Sequence, residues 1–402
     1  MKKLKAITLN SLIYIFCDVF AKSIPFVLMP LVASYLSVAE YGSVSIFQTF
    51  IEVSTIFLIF GTHQYYRYIY FNKYENSNAA LLSSIIISIV LLPFFIAVAL
   101  IIVTFLELDY WYLVIPIGAF FQSLVSLSIC RFQNSEQPIL IAKYTILQSA
   151  INFFGTWLLL RLGYGVEGRY LAIIISSVLL GAYSIFVFSR LYSKCDVEIS
   201  IRLTKDAFIF GAKCLPVSIS WWLRSGVDRV IVGALIGSVA VGELAIVNQL
   251  SLVLTVFGIA LNNSLMPSIF RSTKAKLKRK TFRYISLEIL VVLVLLFALN
   301  EVLPFFIKQF MPDEYFSSLD FLLLSLFCAA LHIVYLIMSN ILLASGNPTL
   351  LSFISIFSAL AHVVLSYFLV DSLGIVGVFW AGMVSYGVGI ISILYKSRGL
   401  MF

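Results

Sequence analysis

Residues 79–104 have the sequence AALLSSIIISIVLLPFFIAVALIIVT, a stretch without a single charged side chain. An α-helix needs about 20 such residues to cross the hydrocarbon core of a bilayer. The apolar positions do not alternate with polar ones, as they would in a strand of a membrane barrel. Because lipid offers the backbone no hydrogen bonds, a stretch of this kind must satisfy them internally. It predicts an all-α integral membrane protein.

The rest of the 402-residue chain has the same character. Hydrophobic residues make up 61% of it and charged residues only 11%, whereas about 25% of a soluble domain is charged. Windows of roughly 20 apolar residues predict about twelve transmembrane helices. A polar loop at 191–205 divides them into two six-helix lobes, 1–195 and 196–402. The predicted spans are 11–36, 42–63, 79–104, 110–130, 140–161, 167–190, 206–236, 242–263, 282–303, 317–339, 350–370 and 375–395.

Lysine and arginine lie almost entirely in one alternate set of loops and in the two termini. The opposite set contains only Arg161, Arg169 and Lys308. The positive-inside rule therefore places both termini in the cytoplasm. The basic segment 271–283 is interpreted as a topology anchor, with a lipid-headgroup or nucleic-acid patch as the alternatives. We expect no nucleic-acid partner, since the net charge of +8 follows from the same bias.

Two short segments in the two halves of the chain resemble each other. Residues 37–42 are SVAEYG and residues 238–242 are SVAVG, and the closing glycines, Gly42 and Gly242, are 200 residues apart. An internal match of this kind indicates a duplicated unit. With six helices in each unit, the two share one orientation and are related by an axis along the membrane normal. Transporters use such repeats to build a site between two lobes.

The same offset pairs polar residues of the second helix in each half. It pairs Gln48 with Asn248 and Thr55 with Thr255. Residues seven apart lie on one helix face, so each half presents an amide and a threonine together. These four residues are predicted to line a cavity.

Eight aspartate, glutamate, lysine and arginine residues fall in the interior of the predicted spans, away from their ends, where each costs roughly 2.5–3.5 kcal/mol at a helix centre. Most of them lie on 11–36 and 206–236, the first helix of each lobe. We expect such side chains to face a water-filled cavity rather than lipid. They are Asp18, Lys22, Glu52, Lys213, Arg224, Asp228, Arg229 and Glu288.

The spacing of these charges places several on common helix faces. Asp18 and Lys22 are four residues apart, and Lys213, Arg224 and Asp228 share one face of the seventh span. One interpretation is a mixed-charge cavity that binds an anion and a coupling cation. The alternative is that Asp18–Lys22 and Arg224–Asp228 are structural ion pairs within their helices.

The remaining charges have separate interpretations. Glu52 continues the polar stripe of Gln48 and Thr55, whereas Arg229 points away from the Arg224 face. Glu288 is expected to be a paired residue at the cytoplasmic interface, beside the basic segment. The three histidines are far apart in sequence and form no ligand pattern, so they are interpreted as structural.

Proline occurs in the same two helices, as Pro25, Pro30 and Pro216. Because proline removes a backbone hydrogen bond, these residues are candidate kinks and hinges. The sequence contains no phosphate-binding glycine loop and no metal-ligand or nucleophile motif. We therefore expect no enzyme, no catalytic residues, no metal site and no cofactor.

Four short motifs carry a resemblance to a known family. They are PLVASYL at 30–36, EYG at 40–42, DRVIVG at 228–233 and the glycine at 242. With the span count and the two-lobe layout, they resemble the Wzx-type O-antigen and polysaccharide flippases of the multidrug/oligosaccharidyl-lipid/polysaccharide (MOP) exporter superfamily. The resemblance covers the whole chain, but the motifs are weakly specific to any one substrate.

The resemblance implies a function in polysaccharide or lipopolysaccharide biosynthesis. Such a protein would move undecaprenyl-pyrophosphate-linked oligosaccharide from the cytoplasmic to the periplasmic leaflet of the bacterial inner membrane. Carried over by position, Lys22, Lys213, Arg224 and Arg229 would meet the pyrophosphate. A diphosphate is a dense anion that fixed cations attract strongly in a low-dielectric cavity.

The driving force implied by the same resemblance is cation antiport or membrane potential. Asp18, Glu52 and Asp228 would then be candidate sites for H+ or Na+. Membrane lipids, a polysaccharide polymerase and chain-length proteins are the expected partners. Two rival functions are a multidrug exporter of the same superfamily and a membrane-embedded polymerase or acyltransferase. The intramembrane cations disfavour the first, and the lack of a large periplasmic loop disfavours the second.

Overall fold

A computed structural model describes residues 24–72, 74–192, 201–274, 277–345 and 347–401 of the chain. Within those ranges every regular element is a helix. Short 3₁₀ segments cover Tyr74–Asn76, Tyr110–Val114 and Asp313–Phe321. The α-helices are α1 Ile24–Ala33, α2 Val38–Ile59, α3 Thr62–Asn72, α4 Ser77–Phe105, α5 Ile115–Asn134, α6 Pro138–Arg161, α7 Gly165–Tyr192, α8 Ile201–Ser225, α9 Val227–Leu235, α10 Ser238–Lys274, α11 Lys278–Phe310, α12 Leu322–Ala344, α13 Pro348–Leu373 and α14 Ile375–Met401.

Nine helical segments in the described part of the chain are long and apolar enough to cross a membrane. They coincide with nine of the predicted spans. The predicted span 11–36 begins outside the described residues, and its described part is the short apolar helix α1. The spans 140–161 and 206–236 fall on α6 and α8, which are long helices with more polar sequences.

The polar residues of α6 have a packing role. Asn152 and Thr156 accept hydrogen bonds of 2.6 and 2.7 Å from the guanidinium of Arg169 on α7. Arg169 is buried, and a buried charge needs such partners. The lower hydropathy of α6 therefore follows from its contact with α7.

The predicted span 206–236 is divided between two helices. Helix α8 continues through Pro216 but ends at Ser225, and α9 begins at Val227. Gly226 lies at the break, where a Cβ atom would overlap the indole nitrogen of Trp222. The break lies at a glycine rather than at the predicted proline, and whether Pro216 also bends α8 stays a prediction.

The chain forms two compact units. Of the described residues, one unit contains those up to Tyr35 together with those within Ile46–Ile219, and the other contains Leu36–Ser45 and those from Ser220 onward. The boundary of the predicted lobes at 195/196 stays a prediction.

The two repeated glycines lie at one helix crossing within the second of these units. A Cβ on Gly42 would overlap the carbonyl oxygen of Ser238, and a Cβ on Gly242 would overlap that of Val38. The two contacts are reciprocal, because residues 38 and 238 are separated by the same 200 positions as the glycines. Both segments of the internal repeat thus have the same structural role, which is to allow close approach of two backbones.

The segment before α2 is fixed to the second unit by two further features. Ser37 and Glu40 form a capping box, in which Glu40 Oε2 accepts hydrogen bonds of 2.8 Å from the Ser37 amide and 2.9 Å from its hydroxyl. The hydroxyl of Tyr315, which is fully buried, donates a hydrogen bond to the carbonyl of Leu36. The Tyr315 hydrogen bond joins this segment to the rest of the second unit, and the capping box orders residues 37–40 within it.

Candidate functional site

The candidate site in the second unit is built on the break between α8 and α9. Gly226 allows the Trp222 indole to fold back and lets the chain begin a new helix at Val227. Arg224 lies in the last turn of α8, and Asp228 lies in the first turn of α9. The break therefore places these two residues, four apart in sequence, on different helices.

Arg224 is held by the neighbouring helices α12, α13 and α14. Its Nη2 atom donates a 2.8 Å hydrogen bond to the carbonyl of Ser355 and a second one to the Ser355 hydroxyl. Its Cζ atom lies 5.2 Å from the ring centre of Tyr335 and 5.9 Å from that of Tyr386. We call these four residues the arginine box. Cation–π contacts of this kind contribute about 0.5–2 kcal/mol.

The two rings of the arginine box are themselves packed. Tyr386 stacks on His332 with ring centres 5.1 Å apart and lies 6.1 Å from Tyr335. Gly389 makes room for Tyr335, since a Cβ at position 389 would lie 2.8 Å from its ring. The position of the aromatic platform is thus determined by the packing of α12 against α14.

One donor of Arg224 has no partner. Its Nε atom is buried and makes no hydrogen bond in the described part of the chain. No acidic side chain among the described residues pairs with the guanidinium. The structure therefore presents an immobilised cation that retains hydrogen-bonding capacity, which is the arrangement that suits an anionic ligand.

Asp228 has different partners. His362 Nε2 lies 3.0 Å from Oδ1 and 3.1 Å from Oδ2 of Asp228, and the Ser366 hydroxyl donates a 3.0 Å hydrogen bond to Oδ1. Asp228 is 7% exposed and His362 is 2% exposed. This carboxylate–histidine pair lies inside the protein, and α9 packs against α13 there.

The sequence did not show that His362 is the partner of Asp228. This histidine was interpreted as structural because no second ligand lies near it in sequence. Its spacing from Ser366 offered a signal, since residues four apart on a helix share one face. The acidic partner lies 134 positions earlier, and no local pattern connects the two.

One alternative from the sequence was an ion pair between Arg224 and Asp228, and the contacts of the two residues bear on it. Arg224 contacts Ser355 and two tyrosines, whereas Asp228 contacts His362 and Ser366. Within the described residues the two charges are therefore satisfied separately. Whether they carry the predicted substrate and coupling roles stays a prediction.

Lys213 lies in the first unit, beside a small pocket. Gly61, at φ +67°, approaches α8 so closely that a Cβ would lie 2.7 Å from the carbonyl oxygen of Gly211. This approach packs α8 against α3, where Phe210 stacks on Tyr68 with ring centres 5.5 Å apart. The resulting pocket of about 240 Å³ is lined by Tyr65, Tyr68, Ile69, Asp206, Ile209, Phe210 and Lys213.

One of the residues that line the pocket, Tyr65, carries a titratable phenol. Burial, with a smaller contribution from the nearby Asp206, raises the pKa of Tyr65 above its ordinary value. Tyr65 therefore remains a neutral phenol at physiological pH. The pocket combines an exposed ammonium, a carboxylate and aromatic rings, a composition that fits the predicted cavity role of Lys213.

The polar stripe on α2 is present in the structure. Gln48 Nε2 donates a 3.3 Å hydrogen bond to Glu52 Oε1 on an exposed face. Thr55 donates a 2.7 Å bond to the carbonyl of Ile51 and a 3.5 Å bond to that of Ala119. Gln48 and Glu52 are thus neighbours, while the Thr55 hydroxyl contacts α5.

The equivalent residues on α10 have other partners. Asn248 Oδ1 accepts a 3.3 Å hydrogen bond from Ser325 on α12, and Ser325 also accepts one of 2.6 Å from Ser251. Thr255 donates a 3.4 Å bond to the Ser251 carbonyl. Asn248 therefore links α10 to α12, and the cavity role of this pair stays a prediction.

Some predicted site residues cannot be placed. Asp18 and Lys22 lie outside the described residues. Arg229 follows Asp228 on α9 and is half-buried. Pro25 and Pro30 lie on the short helix α1, and their role as kinks stays a prediction.

The expectation for Glu288 is wrong. It was predicted to be a paired residue at the interface, but its side chain has no exposed surface. Neither carboxylate oxygen has a hydrogen-bond partner among the described residues. The apolar packing of α11 against its neighbours, which the sequence does not show, has enclosed it.

A family model described as "Polysaccharide biosynthesis protein" matches residues 7–273. The chain belongs to this family. A relative described as "Uncharacterized membrane protein", from Haemophilus influenzae, is 26% identical over 373 residues. The aligned residues are 88% of this chain and 88% of the relative. Another from the same organism, "Lsg locus putative protein 1", is 24% identical over 372 residues, which are 88% of this chain and 89% of the relative.

Solved structures share the fold. The lipid II flippase MurJ, in an inward closed conformation, superposes with a TM-score of 0.73 at 13% identity, covering 96% of this chain and 87% of MurJ. An inward-facing multidrug resistance MATE family transporter of the MOP superfamily gives a TM-score of 0.70 at 16% identity, covering 94% and 95%. The predicted all-α membrane fold of the MOP exporters is confirmed.

Proposed function

We propose that this protein is a flippase that moves an undecaprenyl-pyrophosphate-linked oligosaccharide from the cytoplasmic to the periplasmic leaflet by alternating access. Membership of the polysaccharide biosynthesis family supports the substrate class. Similarity to the fold of a lipid II flippase is compatible with it. The observation that carries the proposal is the arginine box in the second unit.

Arg224 has the properties required of a diphosphate-binding residue. Its guanidinium is fixed by Ser355 and by two aromatic rings, and its Nε has no hydrogen-bond partner among the described residues. Arginine matches phosphate oxygens with several donors at once. A hydrogen bond to a charged group contributes about 1.5–3 kcal/mol, which corresponds to roughly a 10- to 150-fold change in affinity.

The same residue argues against a drug exporter for organic cations. A fixed guanidinium without an acidic partner repels a second positive charge, and the repulsion is strong where the dielectric constant is low. Asp228, the nearest carboxylate in sequence, is engaged by His362 and Ser366. An anionic headgroup is therefore the ligand that best suits the site.

The energy source in this proposal is cation antiport or membrane potential. A charged diphosphate that moves between leaflets is sensitive to the potential, at about 2.3 kcal/mol per charge and 100 mV. The proposal retains Lys22 and Lys213 as further contacts for the pyrophosphate and Asp18, Glu52 and Asp228 as candidate coupling carboxylates.

Complementation of a flippase-null bacterial strain tests the proposal, with surface polysaccharide as the readout. We expect the wild-type chain to restore surface polysaccharide when the matching lipid-linked repeat unit is made. Arg224→Ala and Lys22→Ala should abolish it while membrane insertion stays normal. Arg224→Lys should restore it only in part, because lysine keeps the charge without the guanidinium donors.

Arg279→Ala is the matched control, since Arg279 is an exposed cation at the start of α11. It should complement like the wild type. Normal surface polysaccharide in the Arg224→Ala and Lys22→Ala strains would rule out the site assignment. Failure of the wild-type chain with every lipid-linked oligosaccharide tried would indicate a different substrate.

A further inference from the structure

Glu288 is a buried acid that the arginine box does not use. It belongs to the inward face of α11, on which Ile285 is 3% exposed and Val292 is 1% exposed. Glu288 itself has no exposed surface. A carboxyl group therefore lies between apolar side chains of the buried face of α11, roughly 15 Å from the first residue of the helix; the other polar member of that face in this part of the helix is Thr281.

The carboxyl group has no partner. Neither Oε1 nor Oε2 accepts a hydrogen bond from the described part of the chain. Asp228, by contrast, receives contacts from both His362 and Ser366. Buried polar atoms in native proteins almost always have a partner, so an exception requires an explanation such as a functional role or a bound water or ion.

An ionised carboxylate is unstable in this environment. The effective cost of removing one ion from water into a protein interior is several kcal/mol when nothing compensates it. Ionisable residues within membrane spans are correspondingly rare and are associated with ion pathways and proton relays. Glu288 must therefore hold a proton or another cation while it is buried.

Among the described side chains, no charged group of the surrounding elements forms a hydrogen bond with Glu288. Helix α11 packs against α10, α12, α14 and the 3₁₀ segment Asp313–Phe321. The described charges at the same end of those helices are Arg271 on α10 and Lys396 on α14, and both side chains are exposed. The titratable residues of α12 are Cys328, His332 and Tyr335, which lie nearer its middle. The acidic residues of the 3₁₀ segment lie at the opposite end of α11.

A proton suits this position better than a metal cation. Hard cations require several oxygen ligands, and the described residues offer no cluster of three or more acidic, histidine or cysteine side chains. A proton needs only one of the two carboxylate oxygens. We propose that Glu288 binds a proton that is loaded and released in each transport cycle, a proposal that rests on the proposed flippase function.

This assignment differs from the carboxylates chosen from sequence. Asp228 is already satisfied by a histidine and a serine, and Glu52 contacts Gln48 on an exposed face. Glu288 is fully enclosed and has no hydrogen-bond partner among the described residues, so entry of water would favour release of its proton. A change between enclosed and water-exposed states is what couples a proton to an alternating-access cycle.

Infrared spectroscopy on the purified full-length protein in lipid vesicles tests whether the Glu288 carboxyl group is protonated. The variant is Glu288→Gln, which keeps the shape of the side chain but cannot titrate. The control is Glu301→Gln, because Glu301 lies on the same helix and is exposed. At neutral pH we expect the C=O band of a protonated carboxyl in the wild type and in Glu301→Gln, and its loss in Glu288→Gln. An unchanged band in Glu288→Gln would overturn the assignment.

A transport assay tests the coupling. Vesicles containing undecaprenyl-pyrophosphate-linked oligosaccharide are given a pH gradient, and the flipped fraction is measured over time. Wild type and Glu301→Gln should flip faster with the gradient, whereas Glu288→Gln should flip at a rate that no longer depends on it. Glu288→Met is a second variant of similar volume. It shows whether a change in Glu288→Gln comes from the loss of the carboxyl group or from the introduced amide.

The outcomes separate the two proposals. A gradient response retained in Glu288→Gln and Glu288→Met shows that Glu288 does not carry the coupling proton. If the wild type flips no substrate at any gradient, the proposed flippase function fails. In that case the infrared experiment still decides whether Glu288 holds a proton.

Discussion

Truncation of His362 to alanine should destabilise the protein severely. The substitution removes the imidazole whose Nε2 lies 3.0 and 3.1 Å from the two oxygens of Asp228. Only the Ser366 hydroxyl then remains to compensate a carboxylate that is 7% exposed. Breaking a buried ion pair by removing one partner costs about 3–5 kcal/mol.

Further substitutions at Ser366 and Asp228 measure how much each hydrogen bond of this pair contributes to the free energy of unfolding. Ser366→Ala removes one hydrogen bond to a charged acceptor, which contributes about 1.5–3 kcal/mol. Asp228→Ala leaves a buried imidazole nitrogen without an acceptor, at a cost of about 1–3 kcal/mol. The double variant Asp228→Ala/His362→Ala removes both groups, so neither is left buried without its partner. The double variant should lose less free energy of unfolding than the two single variants lose together. The difference should be about 1–3 kcal/mol, which is the coupling energy of groups in contact.

Unfolding by SDS in mixed micelles measures these free energies for the wild type and each variant. Ser358→Ala is the matched control, because Ser358 is a buried serine on the same helix whose hydroxyl bonds only the Ser355 carbonyl of its own helix. It should lose less than Ser366→Ala. If the losses from Asp228→Ala and His362→Ala are simply additive, the two side chains do not form the pair described.

The other expectations concern the helix crossing and the buried tyrosine of the second unit, and the same unfolding experiment measures them. Gly42→Ala and Gly242→Ala should each cost about 1–3 kcal/mol or more, because the new methyl group meets a backbone carbonyl that cannot move aside. Gly387→Ala, which meets nothing within 4 Å, should be neutral or slightly stabilising, and an equal loss there would contradict the steric argument. Tyr315→Phe removes the hydrogen bond to the Leu36 carbonyl and should cost about 1–3 kcal/mol; no loss would mean that water satisfies that carbonyl.

Much of the architecture was predictable because the bilayer restricts the possible structures. An uncharged run such as 79–104 can only be a helix there, and α4 covers it as Ser77–Phe105. Gly42 and Gly242 were recognisable as a repeat, and the reciprocal contacts explain why both positions are glycine. The break at Gly226 was not predicted, because the pattern of 206–236 continues through it.

The sequence by itself determined the class of protein, the positions of most spans and the presence of charges inside them. These properties follow from hydropathy and helix periodicity, which are local. Only the tertiary structure decided which charges are satisfied. Arg224 and Asp228 are four residues apart, yet their partners lie 131 and 134 positions along the chain. Glu288 has none among the described residues. Partnership depends on distance in space, and packing brings together helices whose sequences carry no record of one another.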